Sequence, residues 1–211
     1  MNFTEIKKAA LAACADVVKG AGFTSARSTN SFTRRAGDDV EWWIGLNLLQ
    51  AGSAGQLGVN PTVGIRFKHV EQVLAELAND WPKGAPPLIG RPLGYLMPEK
   101  RFKTWLFEPG TDLQVVADDL GRAVESFAIP FCEEFGDPAV LEDVSKIEGF
   151  IPENRRATAV PIILAQGMKR DEAAEAVARE LQSLEGKQDA YAESYRYFAD
   201  GFARAFDVSF G

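Results

Sequence analysis

Val40-Glu41-Trp42-Trp43-Ile44-Gly45-Leu46-Asn47-Leu48-Leu49 reads with a period of two. Val40, Trp42, Ile44, Leu46 and Leu48 fall on one side, and Glu41, Trp43, Gly45 and Asn47 on the other. Successive side chains of a strand point to opposite faces, so this stretch is a strand with its aliphatic face towards a core. Upstream, Ser31–Arg35 is short and β-prone, and Ala36-Gly37-Asp38-Asp39 supplies a turn. Downstream, Gly52-Ser53-Ala54-Gly55 is a loop, and residues 58–67 form another strand. There Val63, Ile65 and Phe67 share one face, while Thr62 and Arg66 lie opposite. Residues 102–107 read as one more strand, with Trp105 and Phe107 on the same side.

Helical periodicity flanks this block. Asn2-Phe3-Thr4-Glu5 fits a capping box, and Ile6, Ala9, Ala10, Ala13, Cys14, Val17 and Val18 recur on one face until Gly20-Ala21-Gly22 stops the helix. Val70, Val73, Leu74 and Leu77 trace a short helix ending near Asn79-Asp80. Prolines at 82, 86, 87, 92 and 98 make the next stretch irregular. A long helix starts at Thr111, and Pro130 is expected to end or kink it; Asp137-Pro138 opens another. A helix capped by Gly167 is followed by one from Asp171 to Leu184. The last helix carries Tyr191, Tyr195, Phe198, Phe202 and Phe206 as a stripe, read as core packing. Strands first and helices later predict an α+β fold. The expectation is an N-terminal helix on an antiparallel sheet of about four strands, then a mainly helical C-terminal half. The 211 residues are read as one domain, in which residues 1–108 contain the sheet and residues 109–211 are helical.

Composition excludes several classes. Hydrophobic residues at 46% and charged residues at 25% can build a core, which rules out wholesale disorder. No apolar run approaches the ~20 residues that span a bilayer, and residues 1–5 do not begin a signal peptide. Two cysteines, Cys14 and Cys132, cannot form a disulfide framework, so a reducing cytoplasm is the expected compartment.

Charge is unevenly spread. Residues 1–107 carry a net +4, residues 108–148 a net −9, and residues 149–211 a net −2. The acidic block repels phosphate backbones, and the clusters Arg34-Arg35 and Lys100-Arg101-Phe102-Lys103 are too short for a nucleic-acid arm. The block is either a solvated helix face or a docking surface for a basic protein, with Asp118, Asp119, Glu133 and Glu134 as the partner-binding candidates. Asp118, Arg122 and Glu125 share a helix face, a pattern that usually means surface ion pairing; a magnesium or calcium site is the alternative.

Catalytic motifs are missing. There is no Gly-x-Ser-x-Gly elbow, no phosphate-binding glycine loop and no His-Glu-x-x-His. His69 is the single histidine and reads as a surface residue in a helix's first turn, with a general base as the other possibility. Cys14 falls on a buried stripe and reads as a packed thiol. No catalytic residue, metal ligand or cofactor is therefore assigned. The far side of the sheet offers Trp43, Asn47 and Arg66, a mixture suited to stacking and hydrogen bonding with a ligand. The alternative is that a later helix covers this face and pairs Arg66 with an acidic residue.

Gly22-Phe23, Asn30-Ser31-Phe32-Thr33-Arg34-Arg35, Trp43-Ile44-Gly45-Leu46-Asn47 and Val63-Gly64-Ile65 come in an order that resembles a bacterial family of uncharacterised small domains. The resemblance covers about residues 1–80. It implies a stand-alone cytoplasmic protein, some relatives being suspected of neutralising a toxin, and it brings no catalytic residues. The functional expectation is a non-enzymatic immunity-type inhibitor that blocks a toxin by direct contact. A small-molecule-binding domain or enzyme at Trp43, Asn47 and Arg66, and a helical adaptor, are the alternatives.

Overall fold

A computed structural model describes residues 2–26, 30–51, 55–78 and 85–210. Helix α1 (Phe3–Gly20) starts on the capping box, where the Asn2 side chain accepts from Glu5 N–H and the Glu5 carboxylate accepts from Asn2 N–H. The sheet then follows as β1 (Thr24–Ser25), β2 (Ser31–Arg35), β3 (Val40–Ala51), β4 (Gln56–Phe67), β5 (Ile89–Pro92) and β6 (Trp105–Phe107). Its order is β1-β2-β3-β4-β5, with β6 also paired to β4, so the antiparallel sheet has six strands rather than about four. The additional strands are short ones of two and four residues, too brief to carry a period.

Register follows the predicted faces. Phe32 pairs with Ile44 and Arg34 with Trp42, placing Phe32, Trp42, Ile44 and Leu46 on the buried side. Ser31 pairs with Gly45 and Thr33 with Trp43 on the opposite side. A one-residue slip would expose the whole apolar set, which is what pins the register.

The chain divides into two compact units, Met1–Ile65 with Gly90–Gly136, and Arg66–Ile89 with Asp137–Gly211. The boundary differs from a cut at residue 108. Helix α3 (Leu113–Ala123) belongs with the sheet because it packs on α1 and β6. Gly121 makes that approach possible, since a Cβ there would sit 3.0 Å from Val17 of α1. Asp112 caps α3 by accepting from Gln114 N–H.

Pro130 does not end the helix. A π-turn (Val124–Ala128) joins α3 to α4 (Ile129–Phe135), with Ile129 N–H reaching back to the Val124 carbonyl. One wide turn shifts the backbone groups that the proline ring would otherwise clash with or leave unpaired, so the chain continues as one long helix.

The second unit holds α2 (Lys68–Leu77), α5 (Leu141–Lys146), α6 (Glu153–Gln166), α7 (Arg170–Ser183) and α8 (Ala190–Phe206). The expected end of α2 at Asn79-Asp80 lies outside the described residues. Asp137 caps a 3-10 turn (Pro138–Val140) ahead of α5 rather than a full helix. Of the predicted stripe, Tyr195, Phe198 and Phe202 of α8 are buried with ring centres 5.5 and 5.8 Å apart, Phe206 is half-buried, and Tyr191 is exposed instead of packed, its hydroxyl donating to Glu180 Oε1 at 2.9 Å. Among the described residues no helix is long and apolar enough to cross a membrane.

Pro161 sits inside α6, where it cannot donate to the Ala157 carbonyl four residues back. The Tyr195 hydroxyl takes that role, donating to the Ala157 oxygen at 3.1 Å. Removing the hydroxyl with Tyr195→Phe orphans a carbonyl and is expected to cost ~1–3 kcal/mol. Pro161→Ala restores the N–H, so Tyr195→Phe should cost clearly less in that background. Urea denaturation of the four proteins measures the coupling; equal costs in both backgrounds would refute the pairing.

Candidate functional site

Four surfaces hold the candidate residues. On the open side of the sheet, Trp43 is half-buried and its indole lies across Gly45, so a Cβ at 45 would fall inside the ring. The ring is thus laid along its own strand rather than raised as a stacking platform. Asn47 is exposed and donates from Nδ2 to Thr62 Oγ1 at 2.9 Å. Leu49 and Leu106 add exposed apolar area around Gly58, which faces Leu49 and Thr104.

Arg66 is engaged elsewhere. Its Nη1 donates to Glu71 Oε2 at 2.6 Å and its Nη2 to the Ala85 carbonyl at 2.6 Å. Glu71 also accepts from Leu88 N–H at 2.9 Å, and Arg155 donates to the Pro86 carbonyl at 2.7 Å. Burial pushes Glu71 above the usual carboxylate range, against the pull of Arg66 and the Leu88 N–H. The cluster fastens residues 85–88 to α2. This is the paired-arginine alternative, and it leaves Arg66 committed to structure. The Arg155 contact carries no sequence signal, because a bond across 69 residues has no local period.

The acidic helix is the third surface. Asp118, Glu125, Glu133 and Glu134 are exposed along α3, the π-turn and α4. Asp119 is different. Its carboxylate accepts from the Trp105 indole N–H at 2.9 Å, from Lys103 Nζ at 3.3 Å and from Arg122 Nη2 at 3.4 Å. Partial burial raises its pKa, but Trp105, Lys103 and Arg122 outweigh that and hold it below the usual range. Asp119 therefore clamps α3 to β6 instead of offering itself to a partner. Arg122 pairs with Asp119, while Asp118 accepts from Gln114 Nε2 at 2.8 Å, so the expected pairing along 118, 122 and 125 is replaced by these neighbours.

The fourth surface is the segment 93–104. A 3-10 turn (Leu93–Tyr95) enters it, and Arg101 N–H returns to the Gly94 carbonyl at 3.3 Å. The buried Asn60 donates to the Lys103 carbonyl at 2.6 Å. A cavity of about 310 Å³ opens here, lined by Gly94, Met97, Glu99, Arg101, Phe102, Lys103 and Thr104. In the second unit, a wider groove of about 920 Å³ runs along α7 to Arg196 and Phe210. Arg196 there is bonded to the Leu184 and Lys187 carbonyls.

Both cysteine side chains are buried. Burial pushes the Cys14 thiol up to about 12 and raises Cys132 further, so neither offers a thiolate near neutrality. His69 is half-buried in the first turn of α2. Among the described residues no three His, Cys, Asp or Glu side chains converge as metal ligands. No family model, curated protein or solved structure matches the chain.

Two measurements follow from these contacts. Gly45→Ala drives a methyl group into the Trp43 ring and is expected to cost ~1–3 kcal/mol, whereas in a Trp43→Ala background the cost should fall towards zero. Denaturant midpoints of the two pairs decide it, and undiminished cost without the indole would show that the ring is not the obstacle. For Asp119, a depressed folded pKa means stability that is present above the ordinary aspartate value and lost as pH falls through the lower folded value. The half-exposed carboxylate limits this to about 1 kcal/mol or less. The difference in melting temperature between wild type and Asp119→Asn should therefore shrink on going from about pH 5 to below about pH 4. A constant difference would count against the ionised clamp.

Proposed function

We propose that this protein is a non-enzymatic binding protein of the immunity type, acting in the cytoplasm, where it neutralises a toxin by direct contact. The observation that carries this reading is the exposed row Asp118, Glu125, Glu133 and Glu134 on one rigid helix. None of Glu125, Glu133 and Glu134 has an ion-pair partner among the described residues, so their charge is available to an incoming surface. Asp119 fixes the helix to β6, and the π-turn lets the row run on past Pro130. Such a row attracts a basic protein over distances of about a Debye length and raises its association rate. Of the candidates from sequence, Asp118, Glu133 and Glu134 remain docking residues, and Asp119 is their support.

Other features support the same reading. Both thiols are buried and Arg66 is engaged with Glu71, so a ligand site at Trp43, Asn47 and Arg66 would have to break contacts already made. Two free buried cysteines suit a reducing compartment. The resemblance over residues 1–80 to a bacterial small-domain family with immunity-like members points the same way.

The test is co-expression with the product of a toxin gene adjacent to this one. Rescue of growth and a purified 1:1 complex are expected. The triple change Asp118→Lys, Glu133→Lys, Glu134→Lys should slow association at least about tenfold at low salt while the melting temperature holds, since exposed carboxylates contribute little to stability. Association rates that ignore both the charge reversal and added salt would remove this face as the docking surface.

A further inference from the structure

We infer that the chain pairs with a second copy of itself across a two-fold axis, the cationic segment 93–104 of each copy meeting the acidic helix of the other. This pairing goes beyond the toxin reading and does not rest on it.

The segment is built to present side chains. Leu96 N–H returns to the Leu93 carbonyl and Lys100 N–H to the Met97 carbonyl, both at 3.0 Å, while Asn60 holds its far end. At Gly94 a Cβ would collide with the Arg101 carbonyl, so the two ends of the loop touch. A loop already fixed loses little conformational entropy on docking. It displays Tyr95 at 41% and Phe102 at 54% exposure, next to the exposed Lys100 and Arg101. Exposed aromatics beside cations are the side chains that concentrate binding energy at protein interfaces. Arg101 stands in the wall of the 310 Å³ cavity together with Glu99 and with Lys103, which is held on Asp119.

The occupant follows from what lies beside the loop. The turn Leu93–Tyr95 packs against the π-turn Val124–Ala128, and Lys103 reaches Asp119. Glu133 and Glu134 lie about 12 Å farther along the helix than Glu125, from a rise of ~1.5 Å per residue. With Lys103 held on Asp119, one continuous surface carries the exposed cations Lys100 and Arg101 beside Glu99, followed by exposed carboxylates. A nucleic acid drawn to the loop would meet those carboxylates and be repelled. A uniformly acidic partner would meet the same repulsion, and a basic one engages the acidic row alone and leaves the loop without a partner. A second copy rotated by 180° sets each pole against its opposite, as an isologous interface requires.

Sedimentation velocity of the full chain tests this. At about 100 µM and low salt a dimer is expected, and raising salt to about 1 M should weaken it by about tenfold or more, as the Debye length falls to ~3 Å. A monomer at low salt, a salt-independent dimer or an open series of larger species would each overturn the proposal. Two charge-swapped proteins sharpen it: Lys100→Glu with Arg101→Glu, and Glu133→Lys with Glu134→Lys. Each alone should be monomeric, since the reversed pair of side chains then faces its own sign across the axis. Mixed 1:1, they should dimerise, because each pole again faces its opposite. A dimer of either variant alone, or no dimer in the mixture, rejects the surface. Circular dichroism confirms that each variant folds; where one does not, the salt series of the wild type still decides.

Discussion

The strict two-residue period of β3 is the constraint on which the first unit depends. Trp42, Ile44 and Leu46 must leave water together, and they can do so only if something apolar covers one face of the sheet. The helical layer does this, α1 and the long helix 113–135 packing closely enough that a Cβ at position 121 would stand 3.0 Å from Val17. Gly136, at the end of that helix, lies beside the Trp42 indole nitrogen, and the Arg34 guanidinium stands 4.9 Å from the Trp42 ring centre. On the other face, residues 103–104 cover Gly58 and Asn60, while Asn47 stays exposed. Trp43 on that face lies down on Gly45.

The helix that covers the core also carries the acidic row, and the two duties are linked through Asp119. Its bonds to Trp105 and Lys103 tie α3 to β6 at the point where β6 pairs with β4. The inner face of the helix is thereby held in register with the sheet, and the outer face is held still. Charge on a fixed scaffold steers a partner and keeps its geometry on contact, whereas the same charge on a mobile tail does only the first.

How much of this is legible in the sequence depends on the range of each interaction. Local devices are readable: the Asn2–Glu5 box, the β3 alternation, the α8 stripe and the Gly167 cap all repeat or close within a few residues. The pairing of Arg66 with an acidic helix residue is foreseeable because Glu71 is only five positions away. Asp119 reads as one of four equivalent carboxylates, because its partners Lys103 and Trp105 lie 14 to 16 residues back and share no period with it. Pro130, expected to end or kink its helix, does not end it. Helix periodicity and proline punctuation give opposite readings there, and a π-turn reconciles them at the cost of one wide turn that leaves no mark on residue type.

Pro161 shows the same conflict resolved by other means. In α6 the backbone stays α-helical and a neighbouring helix supplies the missing donor, so the hydroxyl that distinguishes Tyr195 from Phe198 and Phe202 has a structural task. The aromatic stripe alone predicts three interchangeable rings. Only the carbonyl left open by a proline 34 positions earlier explains why one of them is a tyrosine, buried and pushed well above the usual phenol range by the loss of water around it. Both prolines lie within helices that each unit needs whole. In one the wide turn keeps an outward row of carboxylates continuous, and in the other a borrowed hydrogen bond keeps an inward row of aromatics packed.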